Sequence, residues 1–131
     1  MDTGFKSLNV YKLAFSLASE IFKMSGKFPA DEKYELTSQI RRSSRSVCAT
    51  IAEGYRKRIY PKHFTSKMTD ADSEASETCV WLDFAVDCGY ITPDDRQLFT
   101  DKYTEIGKML NSMIKHPEKF KPRSIDKNPN T

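Results

Sequence analysis

Between residues 38 and 58 the chain reads SQIRRSSRSVCATIAEGYRKR, with six basic residues and one acid. Placed on a helix, Arg41, Arg42, Arg45 and Arg56 fall within about a 100° arc, and Lys57 and Arg58 extend the charge into the following loop. A guanidinium presents a planar fork of donors that matches phosphate oxygens. Ala49 and Ala52 lie between the arginines and would let a phosphate backbone approach closely. The arginines have a second destination. From Ser66 to Ile91 the chain carries Asp70, Asp72, Glu74, Glu77, Asp83 and Asp87 against Lys67 alone. A basic helix beside an acidic one, within a subunit or across a subunit boundary, neutralises itself through ion pairs that each contribute little. The residues leave both readings open: an RNA or DNA surface, or arginines taken up by salt bridges in a protein scaffold.

Catalytic or metal chemistry finds less support. No Glu-x-x-His pair exists, which argues against a di-iron carboxylate bundle. His63 and His116 are far apart, and neither has a cysteine at metal-ligand spacing. Glu74 and Glu77 stand one helical turn apart, as they would on any solvated acidic face. No phosphate loop, dinucleotide fingerprint or nucleophile elbow is present, and no set of residues supplies an acid, a base and a nucleophile together. The expectation is a non-enzymatic protein with no metal or cofactor.

The elements that position the arginines are helices. Pro29, Pro61 and Pro93 divide the chain into four helix-sized pieces with short connections. The first is predicted over Leu8 to Ser25, the second over Asp31 to Arg56, and the third from Tyr60-Pro61 to just before Gly89. The fourth opens on TPDD, with Thr92 as N-cap, Pro93 in the first turn and Asp94 and Asp95 at the positive end of the dipole. It ends at Lys115 or His116, before Pro117. Apolar residues recur at helical spacing: Leu36, Ile40, Val47, Ile51 and Tyr55; Phe64, Met68, Ala71, Ala75, Cys79, Leu82 and Val86; Leu98, Ile106, Met109, Leu110 and Met113. Four amphipathic helices with short loops make an all-α, up-down-up-down four-helix bundle. Ser43, Ser44 and Gly54 suit close approach of helix axes. Gly54 either ends the second helix or permits a close crossing, and Glu53 is placed to pair with Lys57.

Two helices carry more apolar surface than one bundle uses. The first has Val10, Leu13, Leu17, Ile21 and Met24 on one side, and Tyr11, Phe15, Ala18 and Phe22 on another about 100° away. In CVWLDFAVDC, Trp81 and Phe84 point away from Leu82 and Val86. A monomer would expose these groups as a contiguous patch, so a homo-oligomer is expected, with Tyr11, Phe15, Phe22, Trp81 and Phe84 at its interface.

At 131 residues and a net charge of +3, the chain has the size of one domain, and its charge matters by distribution rather than amount. Residues 1–116 are assigned to the bundle and 117–131 to a flexible, basic C-terminal tail. Cys48, Cys79 and Cys88 form no disulfide framework; Cys79 and Cys88 are roughly 13 Å apart on one helix. They read as reduced thiols in a cytoplasmic setting. Neither a leader peptide nor a membrane span is expected.

The stretch FPADEKYELTSQIRRSSRSVCATIAEGYRKR resembles the signature of the ribosomal RNA intervening-sequence proteins. The matching positions are Phe28, Pro29, Glu32, Leu36, Gln39 through Arg42, Ser46, Val47 and Ile51 through Gly54, with Glu77 and Cys88 to Ile91 resembling the end of the third helix. The resemblance covers about residues 8 to 115. It implies small all-α subunits in homopentameric barrels and, from a related branch, a basic accessory protein of diversity-generating retroelements that associates with nucleic acid and a reverse transcriptase. Cys48 and Thr50 stand where the family usually has Pro and Asn, and a common Gly-Ser pair is replaced near Asp72 to Glu74.

Overall fold

The computed structural model describes residues 4–122. Four α-helices account for most of them: α1 (Asn9–Ser25), α2 (Leu36–Arg56), α3 (Pro61–Asp87) and α4 (Pro93–Lys115). Short 3-10 turns sit at Gly4–Ser7, Ala30–Glu32 and Pro117–Phe120. No strand occurs among the described residues. Each helix packs on the next and α4 returns to α1, which gives a square up-down-up-down bundle.

The helix ends follow local chemistry. At α4, Thr92 Oγ1 accepts from the Asp95 amide at 3.1 Å and the Asp95 carboxylate accepts from the Thr92 amide at 3.2 Å, a reciprocal capping box. At the end of α3, Gly89 has φ of 77°. Its amide donates to Val86 O at 2.9 Å and the Tyr90 amide donates to Ala85 O at 2.8 Å, the paired bonds of a Schellman close.

The second helix begins later than the sequence suggests, at Leu36 rather than Asp31. Glu32 is drawn out of helical continuation: one carboxylate oxygen accepts from the Leu36 amide at 3.3 Å and the other from Tyr90 Oη at 2.7 Å. This contact ties the start of α2 to the α3–α4 turn and, with Phe28 against the Tyr90 ring at 5.3 Å, closes that end of the bundle.

The core is lined by Leu17, Ile21, Ile40, Val47, Ile51, Phe64, Met68, Leu82, Ile106 and Leu110, all fully buried. Small residues bring α2 and α3 close. Gly54 lies inside α2, not at its end; a Cβ there would meet the Met68 methyl and lie 2.8 Å from Lys67 Cβ. Close crossing is therefore its role. Buried Ser43 and Thr78 are bonded to each other at 2.9 Å across the same seam. On α3 the buried face turns through Thr78 and Ala85, whereas Cys79 and Val86 sit at its margin. On α4 the buried position is Tyr103, and Leu98 is left 65% exposed.

Part of the segment assigned to a flexible tail has structure. Pro117–Phe120 forms a 3-10 turn, and the Phe120 ring stacks on Phe64 at 5.5 Å. Residues 123–131 lie outside the described residues.

Candidate functional site

The structure disperses the arginines that a helical wheel groups together. Arg41 faces the end of α1. Its Nε donates to Ser25 Oγ at 2.8 Å, a terminal nitrogen donates to Phe22 O at 3.0 Å, and the guanidinium lies 4.2 Å from the Phe22 ring centre. A cation bonded to last-turn carbonyls is favourably placed at a helix C-terminus. Arg41 is thus a fastener between α1 and α2. The Arg45 guanidinium also lies over the Phe22 ring, 5.3 Å from its centre. Arg58 donates to Tyr55 O at 3.0 Å and stacks over the Tyr55 ring at 4.0 Å. Arg42, Arg56 and Lys57 are exposed.

Nor do these arginines pair within the subunit with acids of α3. Among the described residues, the ion pair between α2 and α3 runs the other way, from Glu53 of α2 to Lys67 of α3 at 3.1 Å. Glu53 is therefore taken by Lys67 across the seam rather than by Lys57 along the helix. The remaining pairs are Arg96–Asp83 at 3.4 Å and His116–Glu118 at 3.6 Å, all at the surface.

The topology sorts charge between the two ends of the bundle. One end collects the start of α1, the α2–α3 turn and the close of α4; segments 4–14, 50–69 and 106–122 carry eleven Lys and Arg residues and two acids. Those acids, Glu53 and Glu118, are the ones engaged by Lys67 and His116. The opposite end collects the α1–α2 and α3–α4 connections; segments 18–38 and 76–102 carry ten acids and five Lys or Arg. Lys62, four residues beyond Arg58, and Lys115 and Lys119, far away in sequence, thus join Arg56, Lys57 and Arg58 on the basic end. The wheel of one helix could not find them; the up-down order of helices could, since it places the start of α3 and the end of α4 beside the end of α2.

The expected interface aromatics form two separate surfaces. Phe5, Tyr11, Phe15 and Phe22 line a groove of about 510 Å³ between α1 and α2, floored by Ala18, Cys48, Ala49 and Ala52 and bounded by Arg45. Phe15 is 58% exposed and Phe22 47%. The second surface is an edge of α3. Trp81 and Phe84 rest against each other at 5.9 Å, and Trp81 Nε1 donates to Glu77 at 3.1 Å. Phe84 is 51% exposed, and Val80 beside it 47%. Sequence spacing missed Phe5 and Val80, and it placed Ala49 and Ala52 between arginines, whereas they line the groove beside α1.

Several buried groups are perturbed without forming a reactive centre. Burial raises the Cys48 thiol to about 11, so it is a protonated packing residue. The Tyr103 hydroxyl is buried without a well-formed hydrogen bond among the described residues, and burial pushes it upward against the opposing effect of the nearby Thr78 hydroxyl. Glu74 lies at the α2–α3 seam; burial raises its carboxyl, while the Thr50 and Ser46 hydroxyls oppose the shift. Among the described residues no group of three or more His, Cys, Asp or Glu is placed to hold a metal ion. Cys48, Cys79 and Cys88 are free thiols. No described helix is long and apolar enough to cross a membrane.

Comparison with known proteins fits this architecture. The chain is similar over 81% of its length, at 32% identity and a TM-score of 0.70, to a crystal structure from Bacteroides thetaiotaomicron, and covers 98% of that chain. That protein is described as one of unknown function from the S23 ribosomal protein family. None of the curated proteins compared with the chain matches it. The model of the 23S rRNA-intervening sequence proteins matches residues 6–112, which span the four helices almost completely. With its signature stretch on α2 and its four-helix frame both accounted for, the chain belongs to the 23S rRNA-intervening sequence protein family.

Proposed function

We propose that this protein is a non-enzymatic, self-assembling protein that binds RNA or DNA, with the basic end of the bundle as its phosphate-contacting surface and a nucleic-acid enzyme such as a reverse transcriptase as its working partner. The observation that carries this reading is the separation of charge along the bundle axis. A cationic end steers and holds a polyanion, while the acidic end orients the molecule by repulsion. Arg56, Lys57, Lys62 and Lys119 are the contacts, while Arg58 beside them is held on Tyr55. Arg41 is removed from the set, because its donors are used on Ser25 and Phe22. The assembly is a homo-oligomer, a pentamer by resemblance to the family.

Fluorescence anisotropy with labelled RNA and DNA tests this. Affinity is expected to fall steeply with salt as counterions are released. Replacing Arg56, Lys57, Lys62 and Lys119 by Ser should weaken binding on all sequences alike and flatten the salt slope by roughly one unit per lost contact. Absence of binding at low salt would overturn the proposal. A second reading, a protein scaffold without a nucleic-acid role, is favoured by the internal engagement of Arg41, Arg45 and Arg58. It predicts no RNA or DNA binding and reduced melting temperatures for variants of these three.

A further inference from the structure

We propose that Tyr60 is a base-stacking platform set within the basic end, and that the nucleic acid bound there is single-stranded. This rests on the reading of the basic end as the phosphate-contacting surface and specifies the form of nucleic acid it takes.

Tyr60 stands in the turn between α2 and α3, and its ring lies outside the core at 58% exposure. The backbone beneath it is fixed. The Tyr60 amide donates to Lys57 O at 2.9 Å, and the Tyr60 carbonyl accepts from the Phe64 amide at 3.0 Å. Pro61 restricts the same residue from the other side. The His63 ring, one turn on, stands nearly perpendicular to the Tyr60 ring at 5.9 Å. The tyrosine is therefore oriented without being covered, and such a ring loses little freedom when a flat partner lands on it.

Cations reach this ring from two segments. No acid occurs from Gly54 to Thr69, and Arg56, Lys57 and Lys62 are exposed on either side of Tyr60. The second segment is the 3-10 turn Pro117–Phe120. Phe120 stacks on Phe64 at 5.5 Å, which seats that turn, with exposed Lys119, against the first turn of α3. Position separates Tyr60 from the other exposed aromatics. Phe15 and Phe22 line the α1–α2 groove, and Phe84 rests on Trp81. Tyr34 is more exposed, at 83%, but it sits between Glu32 and Glu35 at the acidic end. A phosphate chain is repelled from that ring and drawn to Tyr60.

Charge alone does not favour a single strand, because the duplex has the denser charge. The ring makes the difference. A base offers its flat face to a side chain where it is unpaired and splayed out, as in single strands, loops and ends. An aromatic face within a cationic track binds such strands with little regard to sequence. Here the cations before and after Tyr60 hold the phosphates on each side of the stacked base.

Anisotropy titrations with one labelled sequence as single-stranded RNA, as single-stranded DNA and as a DNA duplex test this, with thermal melting to check the fold of each variant. The unmodified protein should bind both single strands more tightly than the duplex at equal salt. Tyr60→Ser should weaken single-strand binding about tenfold, the loss of one stacked base. It should leave duplex binding and the salt slope unchanged, because stacking releases no counterions. Tyr60→Trp should retain or strengthen single-strand binding. Its added indole fluorescence, measured against the unmodified protein, should be quenched by the single strands and not by the duplex. Tyr34→Ser is the control and should change neither form. The proposal is overturned if the duplex binds as tightly as the single strands, or if Tyr60→Ser weakens both forms equally or neither. Each of these results leaves the basic end standing as a phosphate surface. Lack of quenching in the Tyr60→Trp variant would overturn the platform even if the serine variant were unfolded. Absence of binding by every form at low salt overturns the phosphate surface and the platform together.

Discussion

The two ends of the bundle are built from the same four helices, yet they differ in what holds them and in what they offer. The end that joins α3 to α4 is closed by specific polar contacts. Thr92 and Asp95 cap one helix, Gly89 closes another, and Glu32 is bonded by Leu36 and Tyr90. Its acids have defined work as caps and acceptors. The end that joins α2 to α3 is closed by packing: Gly54 against α3, and Phe120 on Phe64. Most of its cations make no ion pair with an acid among the described residues. Charge engaged in closing the fold and charge exposed to solvent are thus segregated along the bundle axis.

The largest test of that contrast is charge reversal. Converting Arg56, Lys57, Lys62 and Lys119 to Glu should abolish RNA or DNA binding at moderate salt with little loss of melting temperature, because these groups close no part of the fold. The matching reversal of Asp94 and Glu20 to Lys should leave binding intact or strengthen it. Equal effects at the two ends in anisotropy titrations would break the comparison.

Arg41 belongs to the structural class despite its place in the basic stretch. Arg41→Ala should cost about 1.5–3 kcal/mol, the range for hydrogen bonds made by a charged group, read from urea unfolding. It should leave the salt dependence of nucleic-acid binding unchanged. A flattened salt slope for this variant would return Arg41 to the binding surface.

The glycines near the two ends separate space from torsion. Gly54→Ala places a methyl into Met68 and Lys67, and should destabilise by about 1–3 kcal/mol through overpacking. Gly89→Ala meets open space but must hold a positive φ, and should cost about 1–2 kcal/mol. Truncating Met68 should relieve the first variant and leave the second unaffected, which a double-mutant cycle would measure.

The smallest effect concerns Glu74. Its carboxyl is raised in the folded state, so folding disfavours the ionised form. The associated stability is present below the ordinary glutamate range and is lost as pH rises through the raised folded value. Glu74→Gln should therefore increase stability at pH 7, by no more than about 0.5 kcal/mol given its partial exposure, and have no effect near pH 3. A lower melting temperature at pH 7 would show that Ser46 and Thr50 outweigh burial.

Much of the frame was legible from residue order. TPDD announced α4 because capping is a local event among four residues. The extra aromatics of α1 were legible because a second stripe at helical spacing needs no knowledge of neighbours. The inner face of α3 was legible at Phe64, Met68, Ala71, Ala75 and Leu82, all buried, and missed at two positions. Cys79 and Val86 have the better hydrophobic side chains, but Thr78 and Ala85 face inward, since close approach to α2 selects small groups and a hydroxyl bonded to Ser43. Leu98 of α4 was read as a core residue and is exposed.

The amino-acid sequence by itself determined the helices, their caps, their apolar stripes and the amount of charge on each segment, because these depend on residues within a turn or two of one another. Only the tertiary structure decided which charges are free. Arg41 and Arg56 share a wheel sector, but one meets the Phe22 carbonyl of α1 and the other meets solvent. Lys119 joins Arg56 because antiparallel packing brings the close of α4 to the end where α2 meets α3. A helical wheel fixes the angle of a side chain; what stands at that angle is set by the neighbouring helix.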